Sequence, residues 1–354
     1  MRQKNLFIRV DSGLDIGLGH VMRCFALAEV IKNMNFNVYF ISKGIEGNVI
    51  KNVENYGYKV FRIDSKAIKS SKSHWKMDAV KTTKIIQRFK NEKNLLLVDN
   101  YELSNMWETW LKLVVDKIIV IDDFLNRSHN CDLFIDQNLH TSKKEINKKI
   151  PKNCKKLLGP KYTLLRKEFV ECRKIIKKRS GKINRILVAF GGSDEKNQTL
   201  KVLKAIKKLD KEKINVDVVV GEPNKNKIKI KKICSMLKNS TYYQQTKNMA
   251  KIMNKADLAI GAGGIITWER CCLGLPSIVS IVSKNQEDAV NAVSKKGCLI
   301  NLGRAERLIS EDYLNAIKKL DSRKLIRMQK KCMELIDGRG TERVAKQISL
   351  IAGK

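Results

Sequence analysis

The strongest constraint in this sequence is a recurring unit: a short apolar, β-prone run that stops at glycine or an acid, then a helical stretch. Residues 5–10 form the first such run and end at Asp11; an amphipathic helix follows from about residue 20 to 33. Further runs at 37–41, 58–63, 94–98, 117–121 and 133–135 alternate with a long helical segment around 78–90. The scheme restarts at 185–190, which delivers Gly191-Gly192-Ser193-Asp194, and continues through 215–220, 240–243 and 258–260. The last of these enters Gly261-Ala262-Gly263-Gly264 and a helix that carries Trp268 and Glu269 and ends by Gly274 and Pro276. Strands alternating with helices predict parallel sheets covered by helices, with functional loops at the carboxyl ends of the strands.

The expected fold class is therefore α/β, with two Rossmann-like, doubly wound domains facing each other across a cleft. Residues 1–166 form the first domain in this reading. A Lys/Arg-rich stretch ending in Ser180-Gly181 makes 167–183 the linker and hinge, and 184–354 the second domain. A chain of 354 residues with 43% hydrophobic content is long enough for two such cores.

Composition narrows the function classes. The net charge of +35 could mark a nucleic-acid binder, but the lysines are spread along the whole chain and aromatics make up only 6%. A lysine-rich solvated surface is the simpler reading, with no nucleic-acid partner. No stretch approaches the apolar length needed to cross a bilayer, and the first residues lead directly into a β-like run. These features predict a cytoplasmic monomer with no membrane partner. Nine cysteines lack any Cys-x-x-Cys pair, and the four histidines stand apart at positions 20, 74, 129 and 140. Reduced buried thiols, no metal site and no cofactor are expected.

Gly17-Leu18-Gly19-His20 joins a strand to a helix, where glycines let a ligand approach the backbone and helix N–H groups are unpaired. A third glycine would complete a dinucleotide fingerprint, but Met22 stands there. A histidine at the helix's positive end is held in the neutral form a general base needs; a capping or space-filling histidine fits the loop equally well. Residues 261–264 follow the same logic: their amides could hold a pyrophosphate and Glu269 a ribose hydroxyl, or the turn could simply be tight and Glu269 a solvated acid. Asp122-Asp123 with Arg127 reads as a strand-end turn with a local ion pair. Trp75, Trp107 and Trp110 read as packing residues, and His74, His129 and His140 lie in polar, loop-like stretches.

Taken together, Arg9, Asp11, Ser12, Ile16, Gly17, Gly19, His20, Arg23, Cys24, Leu27 and Ala28 resemble a known amino-terminal signature. Asp99-Asn100-Tyr101, Ile121-Asp122-Asp123, Asp136-Gln137-Asn138, Leu158-Gly159-Pro160, Tyr162 and Leu164-Leu165-Arg166 continue the resemblance. So do residues 191–194, 256–259, 261–264 and 267–272, and Asn285-Gln286. These blocks, in order over nearly the whole chain, resemble the UDP-2,4-diacetamido-2,4,6-trideoxy-β-L-altropyranose hydrolases of pseudaminic acid biosynthesis. That family is similar in fold to the GT-B glycosyltransferases, in particular the enzyme that adds N-acetylglucosamine in peptidoglycan synthesis.

The resemblance implies a small-molecule UDP-sugar substrate, from which water displaces UDP with inversion and without a metal. His20 is then the general base, Asp11 orients His20 or the water, and Tyr101 completes the catalytic set. UDP is expected on Gly192, Ser193, Gly263, Gly264, Ile265 and Glu269, and the sugar on Gly17, Gly19, Asn285, Gln286 and Tyr101. Ile265-Ile266 depart from the hydroxyl residues that many relatives carry after the paired glycines, which leaves phosphate contacts to backbone amides. Three other readings compete: a GT-B glycosyltransferase using a UDP-amino sugar, a basic nucleic-acid-binding protein, and an epimerase-hydrolase of the sialic-acid type.

Overall fold

The computed structural model describes residues 2–13, 16–64, 74–139, 143–176, 178–209 and 214–353. It divides into two compact units: residues 1–166 with 339–354, and residues 167–338.

The first unit runs β1 (Lys4–Val10), α1 (Gly19–Lys32), β2 (Phe36–Lys43), α2 (Ile50–Asn55), β3 (Lys59–Ile63) and α3 (His74–Ile86). It continues with β4 (Lys93–Asp99), α4 (Asn105–Leu111), β5 (Lys117–Ile121), β6 (Leu133–Asp136), α5 (Lys143–Lys149) and β7 (Lys155–Leu158). Its seven strands form a parallel sheet in the order β3-β2-β1-β4-β5-β6-β7. Both faces are buried, so β1 alternates between two cores: Leu6, Ile8 and Val10 on one face, Phe7 on the other.

The second unit begins with α6 (Lys167–Lys174), β8 (Arg185–Ala189), α7 (Gln198–Lys207), β9 (Asn215–Val220), α8 (Lys227–Ser235) and β10 (Ser240–Gln244). There follow α9 (Met249–Lys255), β11 (Leu258–Ala262), α10 (Ile265–Cys272), β12 (Ser277–Ile281), α11 (Glu287–Lys295), β13 (Leu299–Arg304), α12 (Ser310–Lys318) and α13 (Ser322–Leu335). Its parallel sheet has the order β10-β9-β8-β11-β12-β13. The expected doubly wound α/β class is what the chain adopts. Each sheet reverses its winding once, between β1 and β4 and between β8 and β11, and such a switch point opens a crevice at the carboxyl ends of the strands.

Two boundaries differ from the sequence reading. The last helix, α14 (Gly340–Gly353), belongs to the first unit: Val344, Ala345, Ile348 and Ala352 join the core of β1 and α1. Thr341 ties it to Leu165 through both the N–H and the carbonyl of that residue. The expected linker is structured as well. Phe169 is buried on α6, and the buried Arg179 donates to the carbonyls of Met253, Ala256, Leu273 and Gly274 in the second unit. Trp107 packs in the core and Trp75 meets Trp110 edge to face, as packing residues. Among the described residues no helix is long and apolar enough to cross a membrane.

Candidate functional site

In the first unit the switch point brings the end of β1 beside the end of β4, with Val10 in register with Asp99. Gly17, at φ 78°, donates its N–H to Gly13 O at 2.8 Å, and α1 starts two residues later. Among the described residues no side chain caps α1 and its first turn has no acid; as in any helix, the first N–H groups, among them those of Gly19 and His20, have no intrahelical acceptor.

His20, on that first turn, is buried to 9% exposure and its Nδ1 lies 2.6 Å from Asp99 Oδ1. Arg23, one turn on, donates to both oxygens of Asp99 at 2.6 Å and to Asp123 Oδ2 at 2.9 Å. Burial works against charge on Asp99, but the Arg23 guanidinium and His20 outweigh it and hold the carboxyl well below the usual range. An ionised Asp99 only accepts, which assigns a proton to His20 Nδ1, so that in the neutral ring Nε2 is the acceptor. The 3.2 Å approach of Arg23 Nη2 to the same Nδ1 is then a contact rather than a hydrogen bond.

Tyr101 stands edge-on to the His20 ring, 4.5 Å between centroids, and donates its hydroxyl to Asp123 Oδ1 at 2.6 Å. Burial and the neighbouring Asp123 charge push this phenol far up, so it stays protonated. Arg127 lies over the Tyr101 ring and donates to the carbonyls of Asn100 and Leu103, which fixes the loop. Its ion pair with Asp122, at 3.4 Å, is the local one the sequence suggests, whereas Asp123 belongs to the His20 network.

Asp11 is placed differently from its expected role. Its carboxylate accepts from Arg9 at 2.6 and 2.8 Å, from Asn100 Nδ2 at 2.9 Å and from the Lys43 N–H at 2.7 Å. Arg9 in turn is fully buried and also bonded to Asp78. The partner that orients His20 is Asp99; Asp11 anchors the loops around it. His129 also departs from its polar, loop-like reading: it is buried, with Nδ1 2.6 Å from Glu108 and Nε2 2.9 Å from Asp122. Burial opposes its charge, but these two hydrogen bonds raise its pKa to about 9. His74 opens α3, and His140 lies outside the described residues.

In the second unit, β8 and β11 are neighbours and each ends in a glycine loop. Gly264 precedes α10 at φ 81°, and no acid lies in that helix's first turn, so the positive end faces no side-chain charge of its own. A Cβ on Gly263 would lie 2.6 Å from Val290 Cγ2 and 3.0 Å from Gln286 Oε1, so the loop must pass close to Gln286. The Gln286 amide oxygen accepts from Val282 N at 3.2 Å, while Asn285 is exposed. Ile265 is half-buried, and Glu269 lies a turn further along, buried rather than solvated. On the adjacent loop a Cβ at Gly221 would collide with Gly192, fixing the Gly192 backbone against the end of β9. Ser193 is half-buried, and Asp194 caps α7 by accepting from the N–H groups of Gln198 and Thr199.

Comparison with solved structures aligns the whole molecule. MurG of Acinetobacter baumannii superposes with a TM-score of 0.69, at 13% identity, covering 98% of this chain and 99% of that one. UDP-GlcNAc 2-epimerase of Neisseria meningitidis, bound to UDP-GlcNAc, gives 0.61 at 13% identity, with 98% and 99% covered. The fold is GT-B. Within this GT-B chain, residues 186–348 match the glycosyltransferase family 28 C-terminal domain. Every candidate of the second unit falls inside that match, whereas the His20 network lies outside it.

Three curated relatives extend the likeness to the first unit. An uncharacterized protein of Methanocaldococcus jannaschii is 29% identical over 321 residues, 88% of this chain, which spans only 60% of that protein's length. The UDP-2,4-diacetamido-2,4,6-trideoxy-beta-L-altropyranose hydrolase of Campylobacter jejuni is 27% identical over 294 residues, covering 82% of this chain and 97% of its own. The spore coat polysaccharide biosynthesis protein SpsG of Bacillus subtilis is 26% identical over 347 residues, 95% of each. This GT-B chain is thus related to enzymes that act on UDP-sugars.

Arg23, Asp99 and Asp123, which the sequence places in the resembling blocks without a role, and Arg127, read there as part of a local ion pair, are the residues that surround His20 and Tyr101. The signal that could find them is an acid at the end of each of two adjacent strands, β4 and β5, where a switch point places ligand-facing groups.

Proposed function

We propose that the chain hydrolyses a UDP-linked diacetamido sugar of the UDP-2,4-diacetamido-2,4,6-trideoxy-β-L-altropyranose class, releasing UDP and the free sugar with inversion. The observation that carries this reading is the buried His20–Asp99 hydrogen bond, which commits Nδ1 and makes Nε2 the proton acceptor of the neutral ring. In the reaction, a water oxygen bonds the anomeric carbon, the carbon–oxygen bond to the diphosphate breaks, and the water's proton passes to His20 Nε2. UDP leaves as the anion, already a good leaving group, so the larger need is stabilising charge on its phosphate oxygens.

The amides of Gly263, Gly264 and Ile265 at the start of α10, with Gly192 and Ser193, serve that end, and Glu269 binds the nucleoside. Tyr101, kept protonated, donates to the sugar or to Asp123, and Gly17, Gly19, Asn285 and Gln286 line the sugar. Kinship with a hydrolase of this substrate and with a polysaccharide biosynthesis protein supports a place in the making of surface sugars.

The test is incubation of the UDP-sugar alone in heavy-oxygen water, followed by NMR of the first anomer formed and mass analysis of both products. Label in the sugar, unlabelled UDP and an inverted anomer are expected. Label in the UDP would move bond breakage to phosphorus and overturn the reading. The match to a glycosyltransferase domain favours a second reading, transfer of the same sugar to another acceptor. In that case the UDP-sugar alone stays intact and turns over only when an acceptor is added.

A further inference from the structure

Three cysteines far apart in sequence converge in the second unit. Cys271 is on α10, Cys298 follows the turn that closes α11, and Cys332 is on α13. Their sulfur atoms all lie within 4.8 Å of one another, and each residue is at most 2% exposed. The positions are held by backbone: Gly297, at φ 75°, donates to Ser294 O, Cys298 N–H reaches Val293 O, and the Cys332 thiol points at Cys298 O, 3.2 Å away.

We propose that Cys271, Cys298 and Cys332 form a buried site for one thiophilic d10 metal ion, Cu(I) or Zn(II). A metal–sulfur bond is about 2.3 Å for Zn(II), which sets sulfur–sulfur separations of about 4 Å in a three-thiolate site. The observed spacing is within a small side-chain movement of that value. Soft thiolates select these ions, and three-coordination suits Cu(I) without a fourth ligand.

The surrounding charge fits as well. Three thiolates around a monovalent or divalent ion carry a net negative charge, and a buried charge needs a counter-charge. Arg270 is fully buried, donates to Ala262 O and Thr267 Oγ1, neither of them a carboxylate, and its Nε has no partner. Its charge is within electrostatic reach of Cys271 and Cys332 as well as Glu269, and that of Arg179 is within reach of Asp257 and, more weakly, Cys332. Two guanidinium groups bonded to neutral oxygens beside three thiols are the environment a thiolate–metal complex would occupy. On loading, three thiol protons pass to the buffer as three metal–sulfur bonds form. The ion would pin the carboxyl end of α10 to α13 and to the start of β13, bracing the helix whose other end carries Gly263-Gly264.

The test uses the full, reduced, metal-free chain and Cd(II) as the probe, added in native buffer or during refolding. One Cd(II) per chain is expected, with a thiolate-to-metal charge-transfer band, a raised Tm and an X-ray absorption shell of three sulfurs. Cys298→Ser and Cys332→Ser should each weaken binding at least tenfold, while Cys131→Ser, in the first unit, leaves it unchanged. Competition by Cu(I) and by Zn(II) then names the preferred ion. The X-ray absorption shell of the wild-type chain needs no variant: a shell of oxygen or nitrogen, or fewer than three sulfurs, overturns the proposal. Failure of the wild-type chain to take up Cd(II) by either route overturns it too, as does unchanged binding in both serine variants.

Discussion

His20 Nδ1 and Asp99 Oδ1 are 2.6 Å apart, the carboxylate at the end of β4 holding the ring that opens α1. Because Asp99 also takes two hydrogen bonds from Arg23, its position is set before any ligand arrives. The ring therefore has one committed nitrogen and one free for chemistry. His20→Asn should lower kcat by about 10²–10⁴ with little change in Tm. Asp99→Asn should lower kcat by at least about tenfold and also lower Tm, since Arg23 loses one of its two counter-charges in a buried setting. Full activity in folded His20→Asn protein would remove His20 from the chemistry.

Asp11 tests the difference between orienting a base and anchoring a loop. It neutralises the buried Arg9, so Asp11→Ala should cost about 3 kcal/mol of stability, read as a drop in the denaturation midpoint. Turnover per folded molecule should fall less than tenfold. A loss beyond a hundredfold in fully folded protein would return Asp11 to the catalytic set.

The buried His129 between Glu108 and Asp122 makes stability depend on pH. Its pKa rises from about 6.5 in the unfolded chain to about 9 in the folded one, so the charged ring stabilises the folded state. That contribution is complete below about pH 6.5 and is lost as pH rises through 9; by linkage it amounts to about 3 kcal/mol at most. Denaturant midpoints at pH 6 and pH 9.5 should differ more in the wild-type chain than in His129→Gln. Equal differences would show that the ring does not carry this charge.

The glycine loops of the second unit make opposite demands on an added methyl. At Gly192 a Cβ meets nothing within 4 Å, so Gly192→Ala should leave Tm unchanged while raising KM for the UDP-sugar severalfold, because the methyl would stand where phosphate approaches. At Gly263 the same methyl would collide with Val290 and Gln286, so Gly263→Ala should lower stability by about 1–3 kcal/mol as well as binding. Unchanged kinetics in both variants would place the diphosphate elsewhere.

Glu269→Ala should raise KM more than it lowers kcat, as expected of a group that binds ground state and transition state alike. Steady-state kinetics over a range of UDP-sugar concentrations would show the split. A fall confined to kcat would move Glu269 into the reaction.

The amino-acid sequence alone determined the fold class, the strands that carry the site and the two glycine loops. Strands buried on both faces of a parallel sheet read as continuous apolar runs, and β1, β4, β5, β8 and β11 are all of this kind. The edge strand β7, Lys-Lys-Leu-Leu, lacks that signature because it is only four residues long and its first two are lysines that are not buried. Tertiary structure decided the rest. It returned α14 to the first core, gave His20 to Asp99 rather than Asp11, closed a carboxylate pair around His129, and gathered Cys271, Cys298 and Cys332. The physical reason is common to all four. Periodicity reports which side of its own element a residue faces, whereas a charge or a thiol finds its partner through packing between elements, and no local pattern encodes that distance.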